Sequence, residues 1–181
     1  MALNDLVDII ARHFAPVFTD LLAGQQLSAL GLRRAARLPL LAAIHHQLNR
    51  PLVFLTDRTD RALAMQEELS LWAPHATRQF FPEPTPLFYE NAAWGENTRR
   101  ERLTALTTLA AYHIPGAPAN PTHPIIVVPG RGLMTRTLPR REFLKATRTI
   151  RRGQRLPPEE IARLLVGLGY EPVNTVIGPG Q

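Results

Sequence analysis

Apolar positions along this 181-residue chain follow two rhythms, one helical and one extended. Leu3, Leu6, Val7, Ile10 and Phe14 recur at i, i+3, i+4 and i+7, which predicts an amphipathic helix over residues 3–15 that ends near Pro16. "VFTDLLAG" reads as a second short helix closed by Gly24, and "QLSALGL" (26–32) as a short strand. Residues 35–49 return to the helical pattern, with Pro39 confined to the first turn, where a missing N–H is harmless. "PLVFLT" (51–56) is a continuous apolar run of strand length, as expected of a strand buried on both faces. A helix follows over 57–73 with Asp57 or Thr59 as its cap, then "RQFFP" as a third strand.

Three prolines at alternate positions make 82–95 a loop; "ENTRRERLTALTTLAAYH" (96–113) is helical, and "PGAPANPTHP" a surface connection. "IIVVP" (125–129) is a fourth buried strand, and "GRGLMTRTL" a short helix. This alternation predicts an α/β fold, a parallel sheet with helices on both faces, over residues 25–138 behind a helical leader at 1–24. Beyond Pro139 the texture changes. "ATRTIRRGQRL", "PPEEIARLLVGLGY" and "EPVNTVI" read as strand, helix and strand, the start of a smaller α+β domain (139–181) that is cut short at the turn signal "GPGQ".

Charge sharpens that division. Residues 131–155 hold nine cations (Arg131, Arg136, Arg140, Arg141, Lys145, Arg148, Arg151, Arg152, Arg155) against Glu142, a net +8 in a chain whose total is +6. Such a block serves nucleic acid or an acidic partner, or is a solvated surface in a chain that uses arginine almost exclusively. The absence of cysteine excludes disulfides, thiol nucleophiles and thiolate metal sites. No apolar run reaches the roughly 18 residues that span a bilayer, and no signal-peptide core opens the chain, which favours a cytoplasmic protein.

Candidate chemistry is sparse. Ser28 and Ser70 are the only serines, and neither sits in a nucleophile elbow. His45 and His46 are adjacent, so a helix turns them about 100° apart and they make no i, i+4 ligand pair. Glu67 and Glu68 lie on a solvated helix face. Phe88, Tyr89 and Trp94 share a proline-stiffened loop with nearby Arg99, Arg100 and Arg102, a mixture that stacks on bases, anchors a partner, or pins the loop to its own domain.

The most informative stretch is "GLRRAARLPLLAAI" (31–44). A phosphate loop has the form GxxxxGK[ST], in which glycine N–H groups cradle phosphate, Lys neutralises it and a hydroxyl holds Mg²⁺. Laid over Gly31 and the basic Arg34, the pattern puts Ala36 at the second glycine, Arg37 at the lysine and Leu38 at the hydroxyl. Leu38 cannot ligate magnesium. The loop is therefore expected to bind no nucleotide, and a plain strand-to-helix turn accounts for it nearly as well.

Taken in order, this loop, "PLVFLTDRTDRALAMQEEL", "FPEPTPLFYE", "RRERLTALTTL", "IIVVPGRGLMTRTLPRREFL" and "GQRLPPEEIARLLVGLGYEPVNTVIGPGQ" resemble the N-terminal UvrB-like module of the transcription-repair coupling factor (Mfd) family. The resemblance implies a helicase-type, P-loop NTPase-like sheet whose ATPase function is lost, so no cofactor for this chain and no catalytic or metal-binding residue. It implies that ATP, Mg²⁺ and DNA translocase activity belong to motor domains elsewhere in the full-length protein. It implies a non-catalytic role in nucleotide excision repair: recruiting UvrA, contacting the motor intramolecularly, and meeting DNA and RNA polymerase through the whole protein, away from membranes. In that family the arginine-bearing segment that meets UvrA follows the counterpart of "GPGQ". The alternative is a free-standing nucleic-acid-binding domain. Residues placed at a partner or DNA surface are Arg140, Arg141, Arg148, Arg151, Arg152, Arg155, Tyr89, Arg99 and Arg100.

Overall fold

The computed structural model describes residues 3–87, 89–90, 92, 94–114, 122–150 and 152–174. They divide into two units, Met1–Thr137 and Leu138–Gln181.

The first unit is built on a three-stranded parallel sheet, β1 (Leu52–Thr56), β2 (Thr77–Phe80) and β3 (Pro124–Pro129), in the order β1-β3-β2. The central strand "PIIVVP" is buried at all six positions, and its prolines occupy only its two ends, where a missing donor costs the ladder least. Register pairs Leu52 with Ile125 on one side and Thr77 with Pro124 on the other. The Phe81 N–H extends the ladder beyond β2 by donating to the Val127 carbonyl at 3.0 Å.

Because side chains alternate along β3, each face carries its own core. On one face Ile125 and Val127 pack with Leu38 of α3 (Arg37–Leu48) and with Ala62, Met65 and Leu69 of α4 (Thr59–Trp72). On the other, Ile126 and Val128 pack with Phe81 and with Ala105 of α5 (Glu96–Ala111). The short α6 (Gly130–Met134) follows β3 directly. The leader folds as α1 (Asn4–His13) and α2 (Ala15–Leu22), which bury Val7, Ala11 and Phe18 against Leu40, Ala42 and Ala43 of α3.

Two expectations for the sheet are corrected. Residues 26–32 form no strand: Gly31 takes φ +60°, incompatible with extended backbone, and Leu32 packs into the helical leader's core instead. Nor is β1 buried on both faces. It is an edge strand whose Phe54 joins the α3–α4 core while Val53 and Leu55 stay 53% and 56% exposed, because α5 covers β2 and β3 instead. The expected side-chain cap of α4 is absent as well. Its N-cap is Arg58; Asp57 instead accepts from Arg61 at 2.7 Å, and the Thr59 hydroxyl donates to Glu83 at 2.7 Å.

The second unit contains α7 (Arg140–Ala146) and α8 (Pro158–Gly167). No strand occurs there among the described residues, correcting the strand–helix–strand expectation; Thr175–Ile177 of the second expected strand lie outside them. In the first of these stretches Gly153 sits at φ +84° and breaks any extended run, while Arg148 turns back to donate to the Lys145 and Thr147 carbonyls, satisfying the end of α7. Helix α8 begins at Pro158 with Glu159 and Glu160 in its first turn, which suits the helix dipole, and closes where the Tyr170 N–H donates to Leu165 beside Gly169 at φ +93°.

Candidate functional site

In the stretch that resembles a phosphate loop, Gly31 and residues 33–37 are exposed and Leu38 is buried. After Gly31, residues Arg34–Ala36 make one 3-10 turn that runs straight into α3, and Ala36 has φ −88°. Gly31, at φ +60°, is the one residue of 31–38 with a positive φ. Arg34 and Arg37 are exposed, whereas Leu38 is 3% exposed and packed among Ala62, Met65, Leu69, Ile125 and Val127. The position that would present a magnesium-binding hydroxyl thus points into the sheet's own core. Beside the loop lies a cavity of about 450 Å³ lined by Leu30, Leu32, Leu40, Ile44 and Phe54, with Arg37 as its one charged wall.

The proline-rich segment after β2 is held by arginines. Pro82, Pro84 and Pro86 are all buried, so this extended stretch keeps one face against the domain. Arg102 of α5, only 2% exposed, donates to the carbonyls of Pro82 at 2.7 Å and Gly132 at 3.1 Å, and more weakly to that of Thr135 at 3.5 Å. Its guanidinium carbon lies 4.0 Å from the centre of the Phe81 ring and 5.0 Å from that of Trp94. Burial pushes the Arg102 guanidinium below its ordinary value, yet arginine stays charged in proteins, so carbonyl dipoles and ring faces replace water around it. Arg131 donates to the Pro86 carbonyl at 2.8 Å and holds the segment at a second point.

The sequence places Arg102 beside Arg99 and Arg100 in a mixture that stacks on bases, anchors a partner or pins the loop to its own domain, and only Arg99 and Arg100 are placed at a contact surface. Arg99 and Arg100 are indeed exposed, but Arg102 serves the interior. The signal was present: Arg102, Ala105, Leu106 and Leu109 fall at i, i+3, i+4 and i+7, the buried face of α5. Tyr89 is 69% exposed, and Phe88 lies outside the described residues. Arg140, Arg141, Arg148, Arg152 and Arg155 are exposed in the second unit, and Arg151 lies outside the described residues. The candidate contact residues therefore form two groups on different units.

Close packing around the clamp makes one glycine necessary. A Cβ on Gly132 would stand 2.9 Å from the Phe81 carbonyl oxygen and 3.4 Å from that of Pro82, both backbone atoms. Gly132→Ala is expected to cost about 1–3 kcal/mol by overpacking, read as a lower urea midpoint at constant slope. An unchanged midpoint would show that the junction of α6 with this segment is loose.

Fold and loop together define a small parallel α/β domain in which Leu38, at the start of α3, packs into the core of the sheet. The chain is similar to part of the transcription-repair-coupling factor of Myxococcus xanthus, at 30% identity over 168 residues, covering 88% of this chain and 13% of that protein. It is also 27% identical over 158 residues to the transcription-repair-coupling factor of Bacillus subtilis (strain 168), covering 87% of the chain and 12% of the relative. It thus spans about one eighth of the length of the curated relatives it matches. No family model matches the chain. Among the described residues, no helix is long and apolar enough to cross a membrane.

Proposed function

We propose that this chain is a non-catalytic, UvrB-like module of a transcription-repair coupling factor, acting in the cytoplasm in transcription-coupled nucleotide excision repair. The observation that carries the reading is the similarity along 88% of the chain to part of such a factor. The burial of Leu38 supports it, because the position at which a phosphate loop carries its magnesium-binding hydroxyl is here an apolar side chain packed in the core. In this reading the module recruits UvrA and regulates a translocase motor carried elsewhere in the whole protein. The exposed arginines of the second unit, Arg140, Arg141, Arg148 and Arg152, provide a cationic face for an acidic partner.

The test is binding of the chain to purified UvrA and, separately, to a 30-base-pair DNA duplex across a salt series. Saturable UvrA binding is expected, weakened about tenfold or more when Arg140, Arg141, Arg148 and Arg152 are all changed to Glu. The second reading, a basic nucleic-acid-binding domain, rests on the same exposed arginines. It gains if UvrA fails to bind while DNA affinity falls steeply with salt. Failure of both partners would remove both readings.

A further inference from the structure

The end of the sheet at which β2 and β3 begin holds a cavity of about 350 Å³ that the proposed function does not use. It is walled by α1, by the C-terminal ends of α3 and α4, and by the residues that lead into β3. Four of the chain's six histidines line it: His45, His46, His75 and His123. Two of these rings are fixed. The His45 Nε2–H donates to the His123 carbonyl at 2.7 Å, and His123 Nδ1 shares a 2.6 Å hydrogen bond with the Tyr112 hydroxyl.

We infer that this cavity is a binding site for an organic cation, a guanidinium or primary ammonium group. Three independent features agree. First, α3 ends there: its C-cap Asn49 lines the cavity, so the negative end of that helix dipole lies beside it, while the Ala73 carbonyl at the end of α4 already accepts from the Arg78 guanidinium at 2.9 Å. Second, Asp8 of α1 is its one carboxylate and makes no ion pair among the described residues, while no lysine or arginine lines the cavity in a chain that carries 21 of them. Third, the half-buried indole of Trp72 forms one wall, the surface that cations prefer among side chains. No group of three or more metal-ligating side chains is arrayed to hold a metal ion among the described residues, so the organic cation is the better fit. The volume lies within the range of small-molecule pockets. Since Asp8 and Val7 come from the leader, an occupant would fasten α1 onto α3.

The experiment titrates the full chain with agmatine, with acetyl-Gly-Arg-Gly-amide, and with the citrulline version of that peptide, in which a neutral urea replaces guanidinium. The indole N–H resonances of the two tryptophans report the outcome. Trp72 is expected to shift saturably with both cations, with a dissociation constant on the order of 1 mM or tighter, while Trp94 stays still and the citrulline peptide has no effect. Asp8→Asn should weaken binding about fivefold, and Asp5→Asn, on the same helix but outside the cavity, should leave it unchanged. Stronger binding of agmatine assigns the site to a free amine, stronger binding of the peptide to a protein's arginine; either order supports the site. No saturable shift at Trp72, equal binding of the citrulline peptide, or an Asp8→Asn chain that binds as before would overturn it.

Discussion

Replacing Arg102 by Ala is expected to lower the stability of the first unit by about 3–5 kcal/mol, more than any surface arginine of the chain. The wild-type guanidinium is desolvated, but it satisfies two carbonyls, those of Pro82 and Gly132, at 2.7 and 3.1 Å, and stacks on Phe81. Truncation leaves those acceptors buried without donors, at roughly 1–3 kcal/mol each, and removes a desolvated cation–π contact worth about 2 kcal/mol. It also opens a void between β2, α5 and α6. Arg102→Lys keeps the charge but loses the planar fork, so it should recover less than half of the loss. The check is urea denaturation of the three proteins, with tryptophan emission as a second probe. Trp94 sits 5.0 Å from the guanidinium and should move toward the exposed, red-shifted state in Arg102→Ala. A loss below about 1 kcal/mol would mean that the carbonyls find water, and that prolines rather than arginine fix the segment. Arg99→Ala and Arg100→Ala, both exposed, serve as the surface reference.

How much of this could be read in advance depends on whether an element carries its own partner. Helix α1 was legible because its 3.6-residue rhythm states which face is buried without reference to what buries it. Helices α3, α4 and α5 carry little such contrast and were legible as helices from their length and helix-forming residues, not in which face they bury. Strand β3 was legible for a related reason: four consecutive β-branched residues between prolines fit only a strand covered on both sides. The segment at 26–32 is also rich in apolar residues but pairs with no strand, and Gly31 at φ +60° interrupts any extended run there. Strand β1 was recognised as a strand and misjudged in burial, because the run "LVFLT" does not reveal that α5 lies over β2 instead of over it. At the candidate site, the replacements in the loop were visible residue by residue, but their consequence was not. Sequence shows that Leu38 lacks a hydroxyl; only the packing shows that it is a keystone between α3, α4 and β3. The inward turn of Arg102 was not singled out among Arg99 and Arg100, because it shows only when its spacing to Ala105 and Leu109 is counted. The histidine-lined cavity joins residues 8, 45, 75 and 123, which no local pattern connects.

Rebuilding the phosphate-loop sequence should make the protein weaker instead of giving it a nucleotide. The triple change Ala36→Gly, Arg37→Lys, Leu38→Thr writes GxxxxGKT from Gly31 onward. Its dominant effect is expected at position 38, where a leucine 3% exposed loses most of its contacts with Met65, Leu69, Ile125 and Val127 and a hydroxyl enters the same apolar space. Large-to-small substitutions in such cores cost about 2–5 kcal/mol, and a buried hydroxyl without a partner adds about 1–3 kcal/mol. The new hydroxyl can escape only by dragging the first turn of α3 away from β3, which Pro39, buried in that same turn, resists. Titration with a fluorescent ATP analogue in Mg²⁺ should therefore show no saturable binding, while the denaturation midpoint falls. Leu38→Met, which keeps the volume, should cost less than about 1.5 kcal/mol and so separates lost packing from altered loop chemistry. Micromolar ATP binding by a triple variant as stable as its parent would reverse the argument, showing that the loop retains phosphate-binding geometry and lacks only the side chains.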